Sequence, residues 1–308
     1  MSADILVIGS LNMDLVVSAE RAPEAGETLH GQDFQTTPGG KGSNQAAAAA
    51  KLGASTAMAG RVGADEFGAR LKNSLTNLGV DTSTVLTDET QPTGVALIIV
   101  DAAGENRILL VAGANGQVSP ADVGNLRPAI QQAKILVLQL EIPLETVSAA
   151  LQIAAECGIP TMLNLAPAYP IPDEMLQKIT YLVVNESEAG LLSELPVHDL
   201  DSAKAACKAL FERGATTIII TLGSQGALLA TPHDFYTLPA YPVDVVDTTA
   251  AGDAFSAGFA VALLESGDLQ SSVAYANAVG ALTVTKFGAQ ASLPTKDDVA
   301  AFLETAYG

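Results

Sequence analysis

The chain has 308 residues, of which 48% are hydrophobic and 16% charged, so it can bury a large core and is neither disordered nor collagen-like. It carries 15 Lys and Arg against 34 Asp and Glu, a formal net charge of −19. That negative field opposes binding to a phosphate backbone or an anionic bilayer, so we expect neither a nucleic acid nor a membrane partner.

The cysteines and the apolar runs bear on the compartment. Cys157 and Cys207 lie in segments with helical periodicity, away from any CxxC or Cys/His pattern, which predicts free thiols in a reducing compartment. The amino-terminal apolar run lacks the positive flank of a signal peptide. The longest stretch without a charged side chain, 214–233, contains Gly and Pro and favours two strands around a turn over a membrane span. We therefore expect a soluble, cytoplasmic protein.

Short β-branched runs alternate with helical patterns along the chain. The predicted strands are Ile5–Ile8, Ile135–Leu140, Thr161–Asn164, Tyr181–Val184 and Thr217–Thr221. The predicted helices include Ser119–Gln132, Glu145–Glu156 and Ser202–Arg213. This alternation predicts an α/β fold with a Rossmann-like, mostly parallel sheet flanked by helices.

Two stretches break the alternation. Residues 11–34 and 94–111 favour extended pairs, the second with a hairpin turn at 102–106, and neither has room for a crossover helix. We interpret 11–39 and 94–113 as a small inserted β-sheet that acts as a lid. The α/β body, which binds nucleotide and substrate, then consists of 1–10, 40–93 and 114–308. The alternative is a pair of edge hairpins with no moving part.

The strongest chemical signal is the segment 247–255, Asp-Thr-Thr-Ala-Ala-Gly-Asp-Ala-Phe. Small residues lead directly into an apolar helical pattern, so residues 250–252 are predicted to place unpaired backbone N–H groups at a helix start, where an anion is stabilised. Asp253 then lies beside a bound phosphate as a candidate general base for an attacking hydroxyl. The alternative is an ordinary carboxylate in a first helical turn.

A second signal is the glycine-rich segment 39–44, Gly-Gly-Lys-Gly-Ser-Asn, which precedes a predicted helix from Gln45 to Leu52 and a C-capping Gly53. Its glycines allow close approach to a polar ligand, and Lys41 and Asn44 can donate hydrogen bonds to hydroxyl groups. The spacing matches neither a Walker A loop nor a dinucleotide fingerprint. A tight turn without a ligand is the alternative.

Two further elements follow predicted strands. The bend at 221–226 suits the approach of a nucleotide, although it is also compatible with a hairpin turn. The cluster at 185–188, Asn-Glu-Ser-Glu, can hold Mg²⁺ through water molecules or form an acidic first helical turn. The histidines, His30, His198 and His233, fit neither a nucleophile constellation nor a zinc site.

Taken together, these elements resemble the ribokinase family, also called the PfkB-type carbohydrate kinases, over nearly the whole chain. The two signatures are 39–44, with Gly53 and Gly63 downstream, and the more specific 247–253. Further resemblance lies in Asn-Met-Asp at 12–14, Asn-Leu-Ala-Pro at 164–167 and Gly-Ala-Gln at 288–290.

The resemblance implies ATP-dependent phosphorylation of the 5-hydroxyl of D-ribose. It implies Asp253 as the catalytic base and the amides of Ala250, Ala251 and Gly252 as the anion hole. It implies that the sugar is held by Asn12, Asp14, Gly40, Lys41, Asn44, Glu141 and Asp253. It implies that ATP is held by Asn185, Thr221, Gly223, Ser224, Gln225, Gly226, Gly252 and Asn277.

The resemblance also implies two cations and an assembly. Glu188 would help to place Mg²⁺ through water. A monovalent cation, usually K⁺, would lie beside Asp247, Thr249, Thr283, Lys286, Gly288 and Ser292, mostly at backbone carbonyls. We expect a homodimer that pairs through the inserted sheet. Two alternatives remain open: a related kinase acting on a ketose, nucleoside or sugar acid, and a sugar-binding regulator without turnover.

Overall fold

The computed structural model describes residues 3–102 and 106–307. Its strands are β1 (Ile5–Ile8), β2 (Asn12–Ser18), β3 (Asp33–Gly39), β4 (Thr56–Gly63), β5 (Asp81–Asp88), β6 (Gly94–Val100), β7 (Asn106–Val111), β8 (Ile135–Leu138), β9 (Thr161–Asn164), β10 (Tyr181–Asn185), β11 (Ile218–Thr221), β12 (Ala227–Ala230) and β13 (Phe235–Leu238). Its helices are α1 (Lys41–Lys51), α2 (Glu66–Asn77), α3 (Pro120–Asn125), α4 (Arg127–Gln132), α5 (Leu144–Cys157), α6 (Asp173–Leu176), α7 (Glu186–Ser193), α8 (Leu200–Glu212), α9 (Ala251–Ser266), α10 (Leu269–Thr283), α11 (Ala289–Ser292) and α12 (Lys296–Tyr307).

A nine-stranded sheet forms the centre of the fold, in the order β13-β12-β11-β10-β9-β8-β1-β4-β5. The strands from β5 to β11 pair in parallel, whereas β12 and β13 add antiparallel at one edge. Because the carboxyl ends of the parallel strands share one edge, the segments after β1, β8, β9, β10 and β11 lie along a common crevice. The predicted mostly parallel α/β fold is confirmed.

The core lies on both faces of this sheet. Successive residues of β1 point to opposite sides, so that Ile5 and Val7 belong to one apolar cluster and Leu6 and Ile8 to the other. Parallel strands covered on both faces explain why β1 and β8 are continuous apolar runs without alternation. Helices α1 and α9 pack against each other, which brings the two sequence signatures together.

A separate four-stranded sheet, in the order β3-β2-β6-β7, forms the predicted insertion. Two antiparallel pairs, β2 with β3 and β6 with β7, join through the parallel pairing of β2 with β6. The predicted hairpin turn at 102–106 includes residues 103–105, which lie outside the described residues. The division into body and lid stays a prediction, although all four strands fall inside the lid ranges.

Several element boundaries differ from the predictions. Helix α1 begins at Lys41 rather than Gln45, because Gly40, with a φ of +91°, turns the chain directly into the helix. The predicted helix over 119–132 is two helices, since Pro128 cannot continue the hydrogen bonding of the first. The strand predicted to reach Leu140 ends at Leu138.

Both cysteines are free, Cys207 buried and Cys157 partly so. Among the described residues, none of the helices combines the length and apolar character that crossing a bilayer requires.

Candidate active site

The amino end of α9 opens at a cavity, with Asp253 in its first turn. Ala250, which precedes the helix, adopts a left-handed conformation with a φ of +60°. The amide of Gly252 has no intrahelical acceptor, as predicted for a first-turn donor. The prediction of an unpaired amide is wrong for Ala251, because it donates to the carbonyl oxygen of Thr248 at 3.2 Å in the turn that enters the helix.

The carboxylate of Asp253 is held by two amide side chains from α1. Asn44 Nδ2 donates to Asp253 Oδ2 at 3.0 Å, and Gln45 Nε2 donates to Asp253 Oδ1 at 3.2 Å. Asp253 is only 5% exposed. The sequence predicted Asn44 as a sugar ligand and missed Gln45, although a polar pair ahead of five consecutive alanines, Ala46–Ala50, was the available signal.

Charges around Asp253 oppose one another. Burial raises the pKa of the Asp253 carboxyl, and nearby Lys41 acts to lower it. Burial also acts to lower the pKa of Lys41, but Asp253, Glu141, Glu188 and Asp14 outweigh it, so the pKa of Lys41 lies above its usual value. A cationic Lys41 among these carboxylates therefore stabilises the ionised, proton-accepting form of Asp253.

Glu141 links the ends of β1, β2 and α1 into one polar pocket. Its Oε2 accepts from Ser10 Oγ at 2.6 Å, from Asn12 Nδ2 at 3.2 Å and from the backbone N–H of Lys41 at 3.3 Å. Glu141 follows β8, so this side chain joins the central sheet to the small one. The predicted sugar ligands Asn12, Lys41 and Glu141 are thus brought together.

Asp14 lies on β2 at the entrance to this pocket and is 7% exposed. Burial, followed by the neighbouring charges of Glu141 and Asp253, raises the pKa of Asp14 to about 7. Gly40 must be glycine, since a Cβ there would lie 2.6 Å from the backbone N of Asn12 and the φ of +91° disfavours other residues.

Asn115 is a buried support that the sequence did not reveal. Its Nδ2 donates to Asn12 Oδ1 at 2.7 Å and to the carbonyl of Leu11 at 3.0 Å, while its Oδ1 accepts from the N–H of Leu11 at 2.9 Å. Because Asn12 Oδ1 is occupied, its Nδ2 faces Glu141. No motif surrounds Asn115 in the sequence, so only the fold identifies it.

A cavity of about 230 Å³ joins the helix opening to the other signatures. Its lining includes Lys41, Asn185, Glu188, Thr221, Ala250, Ala251, Gly252 and Asp253. Both sequence motifs therefore meet in one space, and that space has the size and the donors for phosphate groups.

A neighbouring, mostly apolar cavity of about 490 Å³ shares Thr221, Thr248, Ala251 and Gly252 with the first. Its lining also includes the predicted nucleotide residues Gly223, Ser224, Gly226 and Asn277, but not Gln225. Asn277 Nδ2 donates to the carbonyls of Leu238 and Pro239, both at 3.1 Å. The bend at 221–226 connects the antiparallel strands β11 and β12, so it is a hairpin turn, and its contact with a nucleotide stays a prediction.

The cluster at 185–188 forms a capping box at the start of α7. Asn185 Oδ1 accepts from the N–H of Glu188, and Glu188 Oε2 accepts from the N–H of Asn185, each at 2.8 Å. Burial raises the pKa of Glu188. The acidic helical turn is thus present, and it lines the cavity as well.

The predicted monovalent-cation residues lie in two neighbouring segments. Asp247 accepts from the N–H and hydroxyl of Thr249 at 2.9 and 2.6 Å and from the N–H of Gly288 at 2.8 Å. The hydroxyls of Thr283 and Ser292 donate to carbonyls within their own helices, so both side chains already form hydrogen bonds. Within the described ranges, no group of three or more His, Cys, Asp or Glu is placed to hold a metal ion.

The fold and the site define a class of protein, and comparison with known proteins identifies the family. Residues 2–296 match the pfkB family carbohydrate kinases. The chain is 40% identical to a ribokinase of Haemophilus influenzae over 99% of this chain and 100% of the relative. It is 39% identical to a deoxyribokinase of Salmonella typhimurium over 95% of this chain and 96% of the relative.

A solved structure agrees with these relatives. The Arabidopsis thaliana ribokinase complexed with ribose and ATP superposes with a TM-score of 0.91 at 33% identity, covering 99% of both chains. The chain therefore belongs to the pfkB family of carbohydrate kinases.

Proposed function

We propose that this kinase transfers the γ-phosphoryl group of ATP to the 5-hydroxyl of D-ribose, giving D-ribose 5-phosphate and ADP. One observation carries the proposal: Asp253 lies at the opening of α9, between the polar pocket around Glu141 and the cavity that continues to Asn277. Relatives named ribokinase, matched over nearly their full length, support ribose as the acceptor.

In this proposal, Asp253 accepts the proton of the sugar hydroxyl as that oxygen attacks the γ-phosphorus, and ADP leaves. Phosphoryl transfer requires mainly alignment and stabilisation of negative charge. The opening of α9, with the amide of Gly252 and the positive end of the helix dipole, provides that stabilisation together with Lys41. The amides of Ala250 and Ala251 complete the opening, although the Ala251 amide also bonds to Thr248.

Ribose is held by polar groups that already lie in the pocket. Asn12, Asp14, Lys41, Asn44 and Glu141 supply donors and acceptors for its hydroxyl groups. Buried polar groups require partners, so a sugar lacking a matched hydroxyl loses binding energy. Asn44 Oδ1 is buried without a hydrogen-bond partner in the described part of the chain, which suits an acceptor reserved for a hydroxyl. Gly40 allows the backbone to approach the sugar.

ATP occupies the two connected cavities. The adenine ring lies in the apolar cavity, near Gly226 and Asn277, and the phosphates extend past Thr221 toward α9. Gly223 and Ser224 line the cavity for the adenosine, and Asn185 lines the cavity for the phosphates. Gln225 contacts the nucleotide from the edge of the bend. The net charge of −19 is outweighed locally by Lys41 and the helix dipole, since salt screens distant carboxylates beyond roughly 8 Å.

Two cations complete the proposal. Glu188 lines the phosphate cavity, and a single buried carboxylate fits Mg²⁺, which keeps most of its water ligands. When bound, Mg²⁺ neutralises charge on the phosphates. Potassium prefers oxygen ligands. Asp247 bonds to the N–H of Gly288 and so holds two loops together. The candidate ligands are the backbone carbonyls of Thr249, Thr283, Lys286 and Ser292.

The inserted sheet supports the proposal of a homodimer. Its strands expose large apolar side chains on one face, among them Phe34, Leu97 and Leu109, which are 42 to 64% exposed. A contiguous apolar surface of this kind on a small sheet is typical of an association site. Pairing of two such sheets about a twofold axis covers both surfaces.

ADP release across a panel of acceptors tests the activity. We expect kcat/KM with D-ribose at least about 100-fold above that with 2-deoxyribose, fructose, adenosine or 2-keto-3-deoxygluconate, because an unmatched buried polar group costs a large factor. Phosphorus–proton correlation NMR of the product should place the phosphate on carbon 5. Preference for another acceptor would identify a different family kinase. Sugar binding without ADP release would indicate a regulator.

A further inference from the structure

We propose that Gln45 is a positioning residue that holds Oδ1 of Asp253 and leaves Oδ2 as the oxygen that accepts the substrate proton. Gln45 lies in α1 and is 1% exposed, so its amide acts in a site closed to solvent. The inference rests on the proposed function, because it concerns the proton acceptor of the same reaction.

A hydrogen bond from Gln139 fixes the orientation of the Gln45 amide. Gln139 Nε2 donates to Gln45 Oε1 at 2.6 Å, which turns Gln45 Nε2 toward Asp253 Oδ1 and Asn164 Oδ1, each at 3.2 Å. Gln139 in turn fits against Gly9, where a Cβ would lie 1.9 Å from Gln139 Oε1. A chain of buried amides, Gln139 to Gln45 to Asp253, therefore fixes the plane of the carboxylate.

The two oxygens of Asp253 have different surroundings. Among the described residues, each oxygen accepts from one side-chain amide: Oδ1 from Gln45 Nε2 at 3.2 Å and Oδ2 from Asn44 Nδ2 at 3.0 Å. Asn44 Oδ1, beside it, is a buried acceptor without a partner among the described residues. A sugar hydroxyl bound beside Asn44 can donate to Asp253 Oδ2, whereas Oδ1 faces the buried amides of Gln45 and Gln139.

An amide that donates to a carboxylate favours its ionised form. Gln45 thus opposes the rise in the pKa of Asp253 that burial causes. Other charged groups also face Asp253: Lys41 lowers its pKa and Glu141 raises it, while Asp14 and Glu188 interact with the same carboxylate. Replacing Gln45 leaves all four of these groups in place, so a change in titration reports on the Gln45 amide itself.

The test measures single-turnover phosphoryl transfer against pH, with ribose and ATP saturating. Gln45→Met retains the side-chain length but not the donor, and we expect the acid limb to move up by about one pH unit, so that the rate at a fixed pH on that limb is about 10-fold lower. Gln45→Glu places a second carboxylate against Asp253, so the acid limb of this variant's pH profile should move to a still higher pH. In both variants the KM for ribose should change less than about threefold, because Asn12, Asp14 and Glu141 are untouched.

Thr146→Val is the matched control. It removes a buried hydrogen bond, from Thr146 Oγ1 to the carbonyl of Val118 at 2.7 Å, on a helix that does not line the cavities. It should lower Tm and leave the pH profile unchanged. If Gln45→Met lowers Tm similarly but keeps the wild-type acid limb, Gln45 is merely structural and the inference is overturned.

Gln139→Leu keeps the test decisive if Gln45→Met does not fold. It removes the support of Gln45 Oε1 without touching Asp253, and the acid limb should move in the same direction by a smaller amount. An unchanged limb in this variant also contradicts the inference. Failure of the wild-type protein to phosphorylate ribose would instead refute the proposed function.

Discussion

Asp14→Asn should stabilise the sugar-free protein above neutral pH, although it removes a proposed sugar ligand. Burial and the carboxylates of Glu141 and Asp253 raise the pKa of Asp14 from 3.8 to about 7. A carboxyl group with a raised pKa binds its proton more tightly in the folded state. The stability that protonated Asp14 contributes is therefore fully present below the pKa of the unfolded chain, about 3.8, and is lost as the pH rises to the pKa of the folded protein, about 7.

The magnitude follows from the two pKa values. At about 1.36 kcal/mol for each pKa unit, ionising Asp14 in the folded protein costs about 4 kcal/mol above pH 7. The asparagine variant has no such cost. With an unfolding entropy of about 2.1 cal/mol/K per residue, that difference raises Tm by about 6 °C for a chain of this length.

Thermal unfolding at pH 5 and pH 8.5, without sugar, checks this reasoning. The Tm of Asp14→Asn should lie about 2–3 °C above that of the wild type at pH 5, where the unfolded carboxyl group is already ionised, and about 6 °C above it at pH 8.5. Glu89→Gln, which removes one carboxylate at an exposed position after β5, is the control for the change in net charge. A wild-type protein as stable as Asp14→Asn at pH 8.5 would refute the account of the charges in this pocket.

Three further changes test separate parts of the site. Gly40→Ala should lower the free energy of unfolding by about 1–2 kcal/mol or more and raise the KM for ribose, because residue 40 has a left-handed φ and a Cβ there overlaps Asn12. Urea unfolding measures the stability, and sugar titration measures the KM. An unchanged KM would contradict the prediction. Asn277→Leu leaves the carbonyls of Leu238 and Pro239 without their donor. The KM for ATP should therefore rise by about 10-fold, while the Kd for ribose, measured by calorimetry, stays constant. Equal loss of affinity for ATP and for ribose would argue against a nucleotide-specific position. Replacing K⁺ by tetramethylammonium should lower kcat, and activity indifferent to that exchange would remove the cation site.

The fold was predictable because its signals are local. The apolar runs of β1 and β8 and the helical periodicity of α5 and α8 predict a covered parallel sheet without knowledge of contacts. The small sheet was predictable because 94–111 has no room for a crossover helix. The exact ends were not, since the start of α1 at Lys41 depends on the backbone angle at Gly40.

The chemistry-bearing residues were predictable only where a motif marks them. Asp253 and Asn44 belong to glycine-rich signatures, and the packing of α1 on α9 brings them within hydrogen-bond distance. Gln45, Asn115 and Gln139 have no such mark, because their roles depend on contacts between residues about a hundred or more positions apart. Tertiary structure alone reveals supports of this kind.

Some predicted roles remain predictions. The expected homodimer can be examined with Leu109→Glu, which places a charge on the exposed apolar face of β7. We expect light scattering to show a dimer for the wild type and a monomer for the variant. The cytoplasmic location and the two cation sites also stay predictions.

The central claim is that Asp253 accepts the sugar proton at the opening of α9. Its most direct test is phosphoryl transfer by Asp253→Asn, measured beside ribose binding by calorimetry. We predict that kcat falls by about 10²–10⁴-fold, the contribution of a positioned general base, while the Kd for ribose changes less than about threefold. Turnover close to that of the wild type, with ribose still bound, would contradict the claim.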